Sequence, residues 1–308
     1  MVPGLWTKPP LPGILKRAAQ RLNRWCRVYG PLSASVLMDS DMTTTLIPAI
    51  DVHAHYGIYD CGKPDIINDL MTGDGAVVAE RARQSNVRLT IVSPLKALLP
   101  RGKGDTVAGN IEAAKVVAET PGLLQYVVID PRVPESYRQA EEMLQTPKCV
   151  GIKIHPEEHL YHINEFGEPL FEFAAKHNAV VLSHSSEKNS LADDLVDWAN
   201  RFPEMKLILA HIGCGWDGDV THQVRGVLKS MHGNVVADTS SARSITPKLI
   251  EWAVSQIGVD KVLFGTDTPL YQTSMQRNRI DCAALTDAQK KVILHENAER
   301  LFDLPPTL

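Results

Sequence analysis

Cysteine is scarce. The 308-residue chain holds five, Cys26, Cys61, Cys149, Cys214 and Cys282, with no Cys-x-x-Cys pair among them. A dispersed, odd set argues against a disulfide framework and for a reducing, cytoplasmic compartment. No apolar run is long enough to span a bilayer. Strong charge of either sign is missing too: the formal net charge is −4, with 22% charged residues. That mild acidity argues against nucleic acid as a main partner. One local absence stands out. Residues 1–38 contain no acid, yet carry Lys8, Lys16, Arg17, Arg21, Arg24 and Arg27; Asp39 is the first carboxylate. The stretch "ILKRAAQRLNRWCRVYG" has the pattern of a short basic amphipathic helix. A targeting or membrane-surface segment, a partner-binding arm and a loosely attached extension compete as readings, and the apolar core of a secretory signal is missing. We expect residues 1–41 to be a basic extension and 42–308 to be one domain, since no linker-like composition divides the remainder.

What the chain does have is rhythm. From Thr45 onward, eight short apolar runs alternate with helical stretches: "LIPAIDVHAH", "RLTIVSP", "LLQYVVID", "CVGIKIHP", "AVVLSHS", "KLILAHIG", "NVVADTS" and "KVLFGTDTP". Each run is nearly continuous, as buried parallel strands are. The helical stretches include "AVVAERARQ", "GNIEAAKVVAE", "ESYRQAEEMLQ", "PLFEFAAKH", "LADDLVDWANRF", "VTHQVRGVLKSM", "TPKLIEWAVSQIG" and the closing "TDAQKKVILHENAERLF". Eight strand–helix pairs predict an α/β fold, a (β/α)8 TIM barrel, with a doubly wound open sheet as the alternative. The charged stretch "EEHLYHINEFGE" reads as a loop over the pocket, with His159 and His162 solvated.

Polar residues gather at the ends of these strands: His53 and His55, Asp130, Lys153 and His155, His184, His211, Asp238, Asp267. In a barrel those ends meet at one face, where active sites of this fold lie. Side chains alternate along a strand, so Asp51, His53 and His55 should share one face, with Ile50, Val52 and Ala54 on the other. His53, His55, His184 and Asp267 are the candidate metal ligands. Three imidazoles and a carboxylate suit zinc, with water completing the shell. Asp267 doubles as the catalytic group that moves the proton. Asp51 is a candidate support for His53, and Lys153, His155 and Arg243 are candidate substrate contacts. Arg243 would form a bidentate pair with an anion. Asp238 and Ser240 sit at the mouth of strand 7, and Trp216 in "IGCGWDGD" is a candidate pocket wall.

The motifs "DVHAH", "GIKIHP", "LSHS", "LAHIG", "GTDTP" and "ILHENAERLF", in that order from about Leu46 to Leu304, resemble the amidohydrolase superfamily. The match is to the branch holding metal-dependent hydrolases and aminocarboxymuconate-semialdehyde-type decarboxylases. The resemblance implies the same four metal ligands. It implies that His211, the strand-6 histidine and a catalytic candidate, lies near the attacked carbonyl, where it would polarise that group or stabilise the oxyanion. It also raises a carbamylated Lys153 serving a second metal; one Zn2+ per chain is the expectation carried forward. The expected activity is hydrolysis of a small amide, ester or lactone by a metal-activated water. The alternative is non-oxidative decarboxylation of an unsaturated or aromatic acid at the same site, and a non-catalytic barrel scaffold is the remote one. The expected partner is a small, carboxylate-bearing substrate, and a homo-oligomer is compatible with the sequence.

Overall fold

A computed structural model describes residues 46–304. The expected basic extension, residues 1–41, lies outside the described residues. The eight apolar runs are eight strands: β1 Ala49–Tyr56, β2 Val87–Pro94, β3 Leu123–Val128, β4 Cys149–Ile154, β5 Val180–Ser183, β6 Lys206–Leu209, β7 Val235–Asp238 and β8 Val262–Leu263. They form one parallel sheet in sequence order. Helices alternate with the strands, which makes the fold a (β/α)8 barrel.

The barrel closes where β1 meets the segment after β8. Val52 N–H donates to the Phe264 carbonyl (3.0 Å), and the His53 carbonyl accepts from Thr266 (3.2 Å) and Asp267 (2.7 Å). His55 N–H donates to the Thr268 carbonyl at 2.6 Å. One apolar cluster, including Ile50, Val52, Ile91, Leu124, Tyr126, Leu182, Ile208, Val236 and Leu263, fills the barrel interior. A second layer packs the outer strand faces against the helices.

Strand β1 corrects the simple alternation. Its pairing to β2 shifts register between Asp51 and Ala54. Ile50 and Val52 point into the barrel cluster, whereas Ala54 and Tyr56 join an outer cluster with Val78, Ala113 and Val117. A bulge thus turns the strand over, and re-aimed side chains are what bulges produce. His53 and His55 face inward together with Val52, not opposite to it.

Two helical expectations also change. Within "EEHLYHINEFGE", Pro156–His159 is a short helix and Ile163–Lys176 a longer one capped by His162, whose Nδ1 accepts from Asn164 N–H. His159 is buried, its Nε2 bonded to the Ala97 carbonyl at 2.9 Å. The closing helix is interrupted by a π-helical turn, Val292–Glu296. Phe264 N–H donates to the Ile293 carbonyl there, so the turn secures the segment after β8. A further helix, Thr273–Asp281, was not foreseen. Among the described residues, no helix is long and apolar enough to cross a membrane.

Candidate active site

The strand ends surround a cavity of about 200 Å3 lined by His53, His55, Lys153, His155, His184, His211 and Asp267. Larger cavities lie away from this chemistry, lined by residues such as Lys206 and Lys261 or Arg83 and Pro121. Seven of the sequence-derived site residues therefore share one chamber. Arg243 is exposed and outside the lining, Trp216 is exposed, and Asp130 is engaged by Arg132. Glu158, Glu187, Cys214 and Tyr271 line the chamber and were not anticipated.

The protein itself fixes the orientation of the metal-type ligands. His53 Nδ1 lies 2.9 Å from Asp238 Oδ2, and His55 Nδ1 lies 2.9 Å from Ser93 Oγ and 3.2 Å from the Ser93 carbonyl. A carboxylate only accepts, so a neutral His53 carries its proton on Nδ1 and a lone pair on Nε2, while the Ser93 hydroxyl and carbonyl hold the His55 ring in place in either tautomer. The two Nε2 atoms lie 3.6 Å (His53) and 3.1 Å (His55) from the same oxygen, Asp267 Oδ1. Three ligand-type atoms thus converge on one side of the chamber, with Lys153 Nζ against His53 Nε2. The donor set fits a divalent metal, with the outer nitrogens anchored as metal-bound histidines require.

His184 stands in the same chamber but is turned elsewhere. Its Nδ1 is 3.1 Å from His211 Nε2, and its Nε2 is 3.0 Å from Glu187 Oε1. That contact holds the Glu187 carboxyl below its usual range. Its ring stacks on His155 with centroids 4.3 Å apart. His155 Nδ1 accepts from Glu158 N–H at 3.3 Å, which leaves a neutral His155 with its proton on Nε2.

Lys153 is fully buried, with Nζ 3.0 Å from His53 Nε2. Burial lowers its pKa to about 8, against the pull of Asp267 and Asp238. Burial also holds His53, His155 and His211 below the ordinary imidazole range. Asp51 does not pair with Lys153. It accepts from His53 N–H (3.1 Å), Thr266 N–H (3.0 Å) and Thr266 Oγ1, and so ties β1 to the segment after β8. Burial pushes its pKa up to about 7 in spite of those donors.

Two site residues are bent to fit. His211 (φ 73°) and Asp267 (φ 58°) are left-handed. Such positions cost non-glycine residues on the order of 1–3 kcal/mol and cluster at functional sites.

The barrel is shared with solved enzymes. The 2,6-dihydroxybenzoate decarboxylase from Rhizobium superposes with a TM-score of 0.67 at 13% identity, over 83% of this chain and 99% of its own. The 5-carboxyvanillate decarboxylase from Sphingomonas paucimobilis gives 0.66 at 15%, over 84% and 100%. A dihydroxybenzoic acid decarboxylase from Polaromonas sp. JS666, with bound manganese and the inhibitor 2-nitroresorcinol, gives 0.65 at 16%, over 84% and 98%. At these identities the likeness is one of fold. No curated protein matches the chain. The amidohydrolase family profile, however, matches residues 50–304, from the strand that carries the paired histidines to the closing helix. With that span and these converging ligands, the chain belongs to the amidohydrolase family of metal-binding enzymes.

Proposed function

We propose that this enzyme is a divalent-metal-dependent decarboxylase of small aromatic or unsaturated carboxylic acids. The cavity carries the reading. About 200 Å3 has room for a one-ring acid, since a cavity of roughly 150 Å3 takes benzene. Its walls offer cationic and donor groups beside the ligand cluster. The fold likeness to decarboxylases of one-ring acids supports this reaction over the hydrolysis expected from sequence.

His53, His55 and Asp267 would hold one ion, joined by His184 once it turns from Glu187. Zinc suits that donor set, and manganese, present in the Polaromonas structure, is the other candidate. When bound, the ion supplies Lewis acidity. The Lys153 ammonium and His155 Nε2–H face the same chamber and would take the substrate carboxylate through charge-assisted contacts. Asp267 accepts a proton from a substrate hydroxyl or a water and returns it to the carbon bearing the carboxylate. The bond to that carboxylate then breaks, its electron pair returns to the ring, and carbon dioxide leaves.

Hydrolysis of an amide, ester or lactone is the second reading. Lys153 favours it: a carbamate on Nζ, 3.0 Å from His53 Nε2, would add two oxygens for a second ion. One panel separates the two. Protein loaded with zinc or with manganese is offered hydroxybenzoic acids, 2,6-dihydroxybenzoate included, and a series of lactones, esters and amides. Carbon dioxide release from a hydroxybenzoic acid is the expected result. Hydrolysis with no carbon dioxide from any acid overturns the decarboxylase in favour of the second reading.

A further inference from the structure

Between β1 and the helix Gly75–Gln84 runs a segment that the chemistry above does not use. Its short helix, Ile66–Leu70, buries no residue. Ile58, Ile66 and Leu70 are 76%, 72% and 63% exposed, so three large apolar side chains stand in water. The segment is held together from within. Tyr59 N–H donates to Thr72 Oγ1 (2.9 Å), Cys61 N–H to Asn68 Oδ1 (3.1 Å), Asn68 Nδ2 to the Lys63 carbonyl (2.9 Å) and Thr72 Oγ1 to the Asn68 carbonyl (2.7 Å). Among the described residues, the hydrogen bonds of residues 58–72 all close inside the segment.

Its two ends meet at one point. Gly57 N–H donates to the Gly73 carbonyl (2.7 Å), and Gly73 N–H to the Gly57 carbonyl (3.1 Å). Gly57 has φ 116°, which residues with a Cβ rarely adopt. A loop bonded only to itself, on a base of two glycines, is a body on a hinge, since hinges are the few residues that absorb a change in backbone angle. The hinge lies beside the chamber. A Cβ on Gly73 would stand 3.2 Å from Pro269 Cβ, and the next two residues, Leu270 and Tyr271, are chamber wall. Tyr59 is half-buried. Burial raises the pKa of its phenol, and Cys61, Glu158 and Asp267 add to the rise. Glu158 and Asp267 line the chamber, which puts Tyr59 on the chamber side of the segment.

We propose that residues 58–72 are a lid, hinged at Gly57 and Gly73, that closes Tyr59 over an aromatic ring held in the chamber. The lid stands open for a ring to enter. It closes because a ring under Tyr59 offers an apolar face, which the imidazoles and carboxylates of the empty chamber do not. Closure also keeps water from the reacting carbon. The device narrows the substrate class to ring-bearing acids over open-chain ones. It rests on the proposed function for the ring that it covers; the hinge does not.

Hydrogen–deuterium exchange, read amide by amide on the full chain loaded with zinc, tests the lid. In the free protein the Tyr59, Cys61 and Met71 amides, bonded inside the segment, should exchange about tenfold or more slower than in an unstructured peptide. Exchange at the unstructured rate overturns the proposal, because a floppy loop is no lid. Saturating 2,6-dihydroxybenzoate should slow these amides about fivefold further. They open locally, so added stability of the whole barrel would not slow them. Calorimetry reports binding independently: Tyr59→Ala should weaken it about fivefold, and Tyr59→Phe, which keeps the ring, should restore it. Binding with unchanged lid exchange overturns the proposal, as does unchanged affinity in Tyr59→Ala. An acid that gives no binding heat counts against the decarboxylase, and the amides of the free protein then decide the lid alone.

Discussion

At the scale of single residues, Asp267 is the hardest to replace. Its oxygen faces two imidazole nitrogens, and its left-handed backbone is pinned by a 2.7 Å bond from its N–H to the His53 carbonyl. Asparagine tolerates that backbone and fills the same volume, but its amide cannot accept the proton. Asp267→Asn is therefore expected to fold with an unchanged circular dichroism spectrum and to lose about 100-fold or more in turnover. Turnover within tenfold of wild type would remove Asp267 from the proton-transfer role. The neighbouring His55→Ala should lower the metal bound per chain, measured by elemental analysis after dialysis. Retention of the full wild-type metal content would mean that His55 is no ligand.

At the scale of elements, the helix Ile163–Lys176 shows what sequence could and could not convey. Its buried residues Ile163, Gly167, Leu170, Phe171 and Ala174 recur at helical spacing. The internal Pro169 and the charges before it hide the first two turns, because a proline reads as a helix start. Gly167 is there for a contact, not for flexibility: a Cβ would come within 2.3 Å of Trp198 Nε1 on the helix Ala192–Arg201. Gly167→Ala, which by propensity alone would stabilise a helix, should instead cost roughly 1–3 kcal/mol. Urea unfolding checks this, and a variant as stable as wild type would show that Trp198 moves aside freely. The eight strands were legible because strands buried on both faces are unbroken apolar runs, and the strand-end histidines were legible because a barrel collects strand ends. The bulge in β1 was not, since register depends on the neighbouring strand. Nor was the burial of "EEH": Glu157 looks solvated in sequence but accepts from Asn189 N–H at 2.6 Å inside the fold. The tie of Ser240 to His53 and His211 needs three strands in register and the turned-over backbone of His211.

At the scale of the whole molecule, burial of titratable groups sets how stability varies with pH. His53, His155, His159 and His211 are held below the ordinary imidazole range, in each case chiefly by burial. Below about pH 6.5 the unfolded chain takes up protons on them that the folded protein refuses, so their contribution is present above that pH and lost as pH falls. Asp51 opposes this. With its pKa raised to about 7, it keeps a proton in the fold, and its contribution is lost as pH rises from about 3.9 through 7. Four imidazoles against one carboxyl fix the sign. The melting temperature of chelated protein should drop from pH 8 to pH 5.5, and a flat or rising curve would contradict this assignment of neutral buried histidines. The closure of the barrel carries a last consequence. β1 opens the described chain, β8 is only two residues long, and much of the seam between them consists of the Thr266 and Asp267 amides on the His53 carbonyl. The residues proposed to grip a ligand are thus the links that join the first strand to the last. The pocket works as the clasp of a bracelet: whatever fills it also fastens the ring, and affinity for that occupant becomes resistance of the entire barrel to coming undone.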